Sequence, residues 1–107
     1  MKVMTATEAY AAWSAGEAHI LDIREEVEYE ENQVPGVRLL PMSELGERLD
    51  EVPTDRQLVI ICRSGSRSAY VAEALTTHGG FGDVANLEGG IIAWAAAGLP
   101  YEGEPPQ

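Results

Sequence analysis

Residues 57–68 read QLVIICRSGSRS, and the way this stretch folds decides the architecture of the chain. Gln57 to Cys62 is nearly continuous Leu, Val and Ile, the pattern of a central parallel strand covered on both faces. From Ser66 to His78 the sequence places Ala69, Ala72 and Leu75 at helical spacing, with Gly79-Gly80 as the stop. Strand, polar loop and helix in that order make a βα unit, with Cys62 at the carboxyl end of the strand, where open α/β sheets place their ligands.

The flanking sequence repeats the alternation. Thr5-Ala-Thr-Glu8 has capping-box spacing and opens a helix over about residues 6–15, with Ala9, Ala12 and Trp13 on its apolar face and Gly16 at its end. His19 to Ile23 is predicted as a buried strand, followed by a short acidic helix within Arg24–Glu31. Pro35-Gly36 marks a turn, Val37–Leu40 a second short strand, and Ser43 is expected to cap a helix carrying Leu45 and Leu49 that Pro53 closes. Beyond the central unit, Val84–Leu87 is a further strand, Gly89-Gly90 a tight turn, and Ile91–Ala97 a helix ended by Gly98. The tail from about residue 101 is expected to be loose. The fold class is therefore α/β, a central mostly parallel sheet of short strands flanked by helices, in one domain over 1–107.

Composition narrows the function. The net charge of −11 is uneven: residues 1–55 hold 13 acids and 4 bases, residues 56–107 hold 5 acids and 3 bases. Such a field repels nucleic acid and anionic membranes, so neither is expected as a partner. No run reaches membrane-spanning length and the start lacks a secretory pattern, so a cytoplasmic location is expected, with the protein a monomer or weak homodimer. One cysteine forms no internal disulfide and no multi-thiolate zinc site, and no metal or cofactor is expected.

What remains for Cys62 is an inert buried thiol or a reactive one. If a helix starts near Ser66, the residues between must curl around the sulfur with N–H groups inward, an anion-binding nest at a helix N-terminus. Gly65 allows positive φ and close approach, Ser64, Ser66 and Ser68 keep the rim polar, and the same N–H groups together with Arg63 and Arg67 favour thiolate over thiol. Each component alone has a plainer reading: a buried structural cysteine, solvated arginines, a turn glycine. Their coincidence directly after a central strand favours a functional cysteine.

Such a pocket suits attack by thiolate on an atom bearing an anionic leaving group, which admits phosphoryl transfer and sulfane-sulfur transfer. The loop from Cys62 to Arg67 is one residue shorter than the cysteine phosphatase signature, Ile61 stands where many phosphatase motifs carry His, and no general acid is obvious, although Asp83 and Asp22 stay open. These features lean toward sulfur, whose sulfite leaving group needs no proton.

At CRSGSRS the chain resembles the rhodanese family of sulfurtransferases in its single-domain form. Three further signals agree: LDIREEVEYEENQVPGV, LEGGIIAW with GLP after it, and the order of the elements, over about residues 4–100. The resemblance implies that Cys62 is the sulfur-accepting nucleophile and that Arg63, Ser64, Gly65, Ser66, Arg67 and Ser68 form the donor-binding loop. Asp22 and Arg24 are implied as supporting residues that orient the loop by pairing. It further implies thiosulfate as donor, suited to two basic loop residues, and cyanide or a protein or small thiol as acceptor. A sulfur-carrier or regulatory module with little turnover, and a small phosphatase or arsenate reductase, are the alternatives. Gln33 stands where the family commonly has His, and a hydrogen-bonding structural role is expected there. Trp13 and Trp94 are expected in the core, the acidic run Glu25–Glu31 as a solvated face, and His19 and His78 without a catalytic role.

Overall fold

The computed structural model describes residues 2–107. Strand β5 (Gln57–Ile61) lies at the centre of a five-stranded sheet, with β2 (Ala18–Asp22) on one side and β6 (Val84–Leu87) on the other. β1 (Lys2–Met4) extends the sheet beyond β6, and β4 (Arg38–Leu39) extends it beyond β2. Every pair in this sheet is parallel, in the order β1-β6-β5-β2-β4. A strand with neighbours on both edges and helices on both faces has no solvated side, which is why Leu58 to Ile61 are all apolar and all buried.

Alternate β5 residues supply two separate cores. Leu58 and Ile60 pack with Leu21, Ile23, Val71, Ala72 and Leu75, the last three from α4 (Ser66–Thr77). Val59 and Ile61 face α1 (Ala6–Ser14) and α5 (Gly90–Ala96), where Ala9, Ile91 and Trp94 are fully buried. Trp94 meets Tyr10 and Trp13 edge-on, at ring separations of 5.6 and 6.2 Å, and its indole N–H donates to the Pro100 carbonyl at 2.7 Å. The capping box expected at Thr5 is complete: the Glu8 amide donates to Thr5 Oγ1 and the Thr5 amide to the Glu8 carboxylate.

Several local expectations are corrected. Ser43 caps nothing: helix α3 (Met42–Leu45) begins after Pro41, and the Ser43 hydroxyl donates to Glu25 Oε1 at 2.7 Å. The helix does not continue to Leu49, which sits in a separate 3-10 turn (Leu49–Glu51) after Gly46. The strand expected over 37–40 is only β4, and β1 was not anticipated, because three residues carry no measurable period. In place of a loose tail from about residue 101, β7 (Glu102–Gly103) pairs antiparallel with β3 (Asn32–Gln33), which follows α2 (Glu26–Glu31). Glycine is required at Gly103, where an added Cβ would overlap the backbone of Glu31 and Asn32.

Candidate active site

β5 delivers Cys62 to the carboxyl end of the sheet and α4 starts four residues later, so Arg63, Ser64 and Gly65 must reverse the chain within one turn. Gly65 makes this possible with φ +100°, and an added Cβ would stand 3.0 Å from the Gly89 nitrogen. The loop is held from below by α5: the Ile91 and Ile92 amides donate to the carbonyls of Cys62 and Arg63 at 2.9 and 3.2 Å. A Cβ on Gly90 would overlap those same two carbonyl oxygens, so the Gly89-Gly90 pair is the seat on which the loop rests.

Cys62 is fully buried, yet it is not sealed among aliphatic groups. Its Sγ accepts the Gly65 N–H at 3.1 Å, the Ser68 N–H at 3.3 Å and faces the Ser68 hydroxyl at 3.3 Å. Burial pushes the thiol up. The Ser68 hydroxyl and the amides of Ser68, Gly65 and Arg67 together outweigh it and leave the pKa below its ordinary value. Of the two influences expected to favour thiolate, inward N–H groups and arginine charges, hydrogen bonds from the start of α4 are the leading one, joined by the Ser68 hydroxyl.

The structure distributes the other predicted site residues unequally. Ser64, Ser66 and Arg63 are exposed on the rim, while Ser68 is fully buried against the sulfur. Arg67 does not hold its fork open. It donates through Nη1 and Nη2 to both carboxylate oxygens of Glu28, each at 2.7 Å. Glu28 lies in the acidic run read as a solvated face, and only the fold reveals its partner. Arg63 faces a cleft of about 430 Å³ whose walls include Glu28, Glu31 and Glu104.

Asp22 and Arg24 are brought together but not onto the loop. Both are buried, with Arg24 Nη2 2.9 Å from Asp22 Oδ2. Arg24 also donates to the Asn32 side chain and backbone carbonyl, both at 2.7 Å, and Asn32 Nδ2 donates to the Glu104 carbonyl at 3.0 Å. The pair therefore braces the end of β2 against α2, β3 and the tail, and hydrogen-bonds to no residue of the loop. Gln33 donates to the Tyr29 carbonyl at 3.2 Å, within the same brace. His19 pairs with Asp55 at 2.7 Å and His78 ends α4.

One residue at the site was missed. Asn86 on β6 is buried and receives the Ser68 hydroxyl at 2.5 Å. The signal was present as a carboxamide inside the strand Val-Ala-Asn-Leu, since a polar group in a buried strand needs a partner. Among the described residues no group of three or more His, Cys, Asp or Glu is arranged to hold a metal ion, and no helix is long and apolar enough to cross a membrane.

A parallel α/β sheet with a cysteine loop of main-chain donors at the carboxyl end of its central strand is the class that the fold and site define. The chain belongs to the family of rhodanese-like domains, whose model matches residues 5–97. A protein described as a sulfurtransferase from Allochromatium vinosum is 48% identical over 81 residues, covering 76% of this chain and 75% of that one. A rhodanese-related protein from Thermoplasma volcanium superposes with a TM-score of 0.84 at 30% identity, covering 97% of this chain and 100% of the other. A thiosulfate sulfurtransferase from Pseudomonas aeruginosa superposes with a TM-score of 0.84 at 32% identity, over 100% of this chain and 21% of its own.

Proposed function

We propose that the protein is a thiosulfate sulfurtransferase working through a persulfide on Cys62. The observation that carries this reading is the seating of Sγ on the Gly65 and Ser68 amides, which stabilise the attacking thiolate and the same thiolate when it is released from a persulfide. The similarity to a sulfurtransferase and to a thiosulfate sulfurtransferase supports it.

In the first step the Cys62 thiolate attacks the outer sulfur of thiosulfate. A new S–S bond forms, the bond to the sulfonate sulfur breaks, and sulfite leaves with its electron pair. In the second step a thiophilic acceptor, cyanide or a thiolate, attacks the outer persulfide sulfur and returns Cys62 as thiolate. No proton is required by the leaving sulfite, in keeping with a site that shows Ser68 and Asn86 but no carboxyl group within hydrogen-bond reach of Sγ among the described residues. Arg63 and Arg67 are the donor-binding cations, and a sulfonate must compete with Glu28 for the fork of Arg67.

That competition favours a second reading, in which the domain is a sulfur carrier that receives sulfur from a less highly charged persulfide and passes it to a protein acceptor. Intact-mass analysis after thiosulfate treatment separates the two. One added sulfur, lost on addition of cyanide and absent from Cys62→Ser, supports the sulfurtransferase; loading only from a thiol persulfide supports the carrier.

A further inference from the structure

Ser68 has one hydroxyl proton and two neighbours that both ask for it. Asn86 Oδ1 lies 2.5 Å from its oxygen and Cys62 Sγ 3.3 Å. A hydroxyl donates once and accepts through its lone pairs, so the two bonds cannot both be donated by Ser68 at the same time. While Cys62 is a thiol the chain is satisfied in one sense: S–H donates to Ser68 Oγ, and Ser68 O–H donates to Asn86 Oδ1. Once the Sγ proton has gone to solvent, the sulfur is an acceptor only and the Ser68 O–H must turn to it. Asn86 Oδ1 would then face the Ser68 lone pairs with no proton between them, a buried contact that costs the full desolvation of a carbonyl.

A carboxamide has a way out of this that a carboxylate or an alkyl group lacks. Its oxygen and nitrogen ends are nearly the same size, so half a turn presents N–H where the carbonyl stood, without additional room. We propose that Asn86 is a positioning residue for the Cys62 nucleophile, its carboxamide reversing as the sulfur ionises, so that it accepts from Ser68 in the thiol form and donates to Ser68 in the anionic form. This rests on reading Cys62 as the nucleophile but not on any particular sulfur donor. Strand register brings the carboxamide to the right level of the sheet, since Asn86 pairs with Ile60 of β5, two residues before Cys62.

The charged groups around this chain are few. Arg67 is near enough for the sulfur's charge to act on it and is paired with Glu28, Arg63 is exposed on the loop, and Asp22 and Arg24 form the buried pair at the end of β2. Among the described residues none of them hydrogen-bonds to Ser68 or Asn86 side chains, so the relay can be perturbed with the surrounding charges left in place.

The test is a double-mutant cycle on the ionisation of Cys62, followed by ultraviolet thiolate absorbance as the difference from Cys62→Ser; with one cysteine in the chain, the signal reports that residue alone. Ser68→Ala is expected to raise the midpoint by about one on the pH scale or more, because a hydrogen bond to the charged form is lost. Asn86→Leu is expected to raise it by less in the wild-type background and not at all in Ser68→Ala. Asn86→Ala serves the same cycle if leucine is not accommodated. A fall in the midpoint for Asn86→Leu would show a fixed acceptor that merely holds Ser68 away from the sulfur, and would overturn the reversal. An equal rise in both backgrounds would show an effect through packing, and no change in either would show that Asn86 plays no part. All of these outcomes are independent of whether thiosulfate loads the protein, so failure of the relay and failure of the proposed activity are distinguishable.

Discussion

Arg67 and Glu28 meet at two points, Nη1 to Oε1 and Nη2 to Oε2, both at 2.7 Å, across 39 residues of chain. The pair ties the first turn of the helix that carries the cysteine loop to the acidic helix α2, and it leaves Arg67 neutralised before any donor arrives. Hydrogen bonding from Arg67 holds the Glu28 carboxyl below the ordinary glutamate value against the opposing effect of burial, and the Arg67 guanidinium is raised in return. Both side chains retain solvent contact, so the pair is worth little as a source of stability and more as a competitor for anions.

Glu28→Gln is expected to free the Arg67 fork for a sulfonate. With thiosulfate as donor, KM should fall by about 3–10-fold, the equivalent of roughly 1 kcal/mol of removed competition, with kcat little changed. Steady-state kinetics with thiosulfate and cyanide measure this; an increased KM would mean that Glu28 positions Arg67 for the donor rather than withholding it.

The same carboxyl predicts a pH dependence. A group whose pKa is lower folded than unfolded stabilises the fold above its unfolded value and ceases to do so as pH falls through the folded value. Wild type should therefore lose stability relative to Glu28→Gln as pH drops from near 4.5 downward, and the two should run parallel above it. Urea midpoints of both proteins across that range provide the comparison.

Gly90 and Gly46 should respond to alanine in opposite ways. A Cβ on Gly90 meets the carbonyl oxygens of Cys62 and Arg63 at a positive φ of 60°, whereas nothing lies within 4 Å of a Cβ on Gly46. Gly90→Ala is expected to cost about 2–4 kcal/mol and to abolish sulfur loading with it, since the loop must shift. Gly46→Ala should be neutral or stabilising by up to about 1 kcal/mol. Thermal unfolding and intact-mass loading of the two variants test the contrast.

Asp22 and Arg24 are both buried, with Arg24 bonded to Asp22 and to Asn32. Removing one member strands a charge, and Arg24→Met or Asp22→Leu is expected to cost about 3–5 kcal/mol. The double substitution should cost less than the sum, because no charge remains unpaired. Proteolysis after Glu102 should quicken in each single variant, as the Arg24–Asn32–Glu104 connection that holds β7 is weakened.

What was legible in the sequence is what local pattern encodes. The QLVII run, the capping box at Thr5 and the Gly79-Gly80 and Gly98 stops each act within a few residues of chain, so the βα order and the parallel sheet could be read from them. The amide cradle around Cys62 was legible for the same reason: strand, loop glycine and helix start are consecutive, although the hold of Ile91 and Ile92 on the loop carbonyls was not. Trp94, buried with an indole N–H bonded to Pro100, matched its expected core role because a large aromatic has few other places to go in a small domain. Where the reading failed, the deciding contact was distant. Ser43 looked like a cap until Glu25 took its hydroxyl, and the tail looked loose until Gly103 paired with Asn32.

By itself, then, the amino-acid order determined a cysteine at the end of a central strand with amides turned toward it, because the groups that touch the sulfur's backbone cradle all lie between 57 and 68. Only the tertiary structure decided which side chains share the sulfur and its cations. Asn86 reaches Ser68 because β6 lies beside β5 in the sheet, and Glu28 of α2 reaches Arg67 of α4 although 39 residues of chain separate them. Neither adjacency follows from local propensity: the first comes from burying the apolar strands β5 and β6 side by side, and the second from an ion pair made by a helix, α2, that buries no residue of its own.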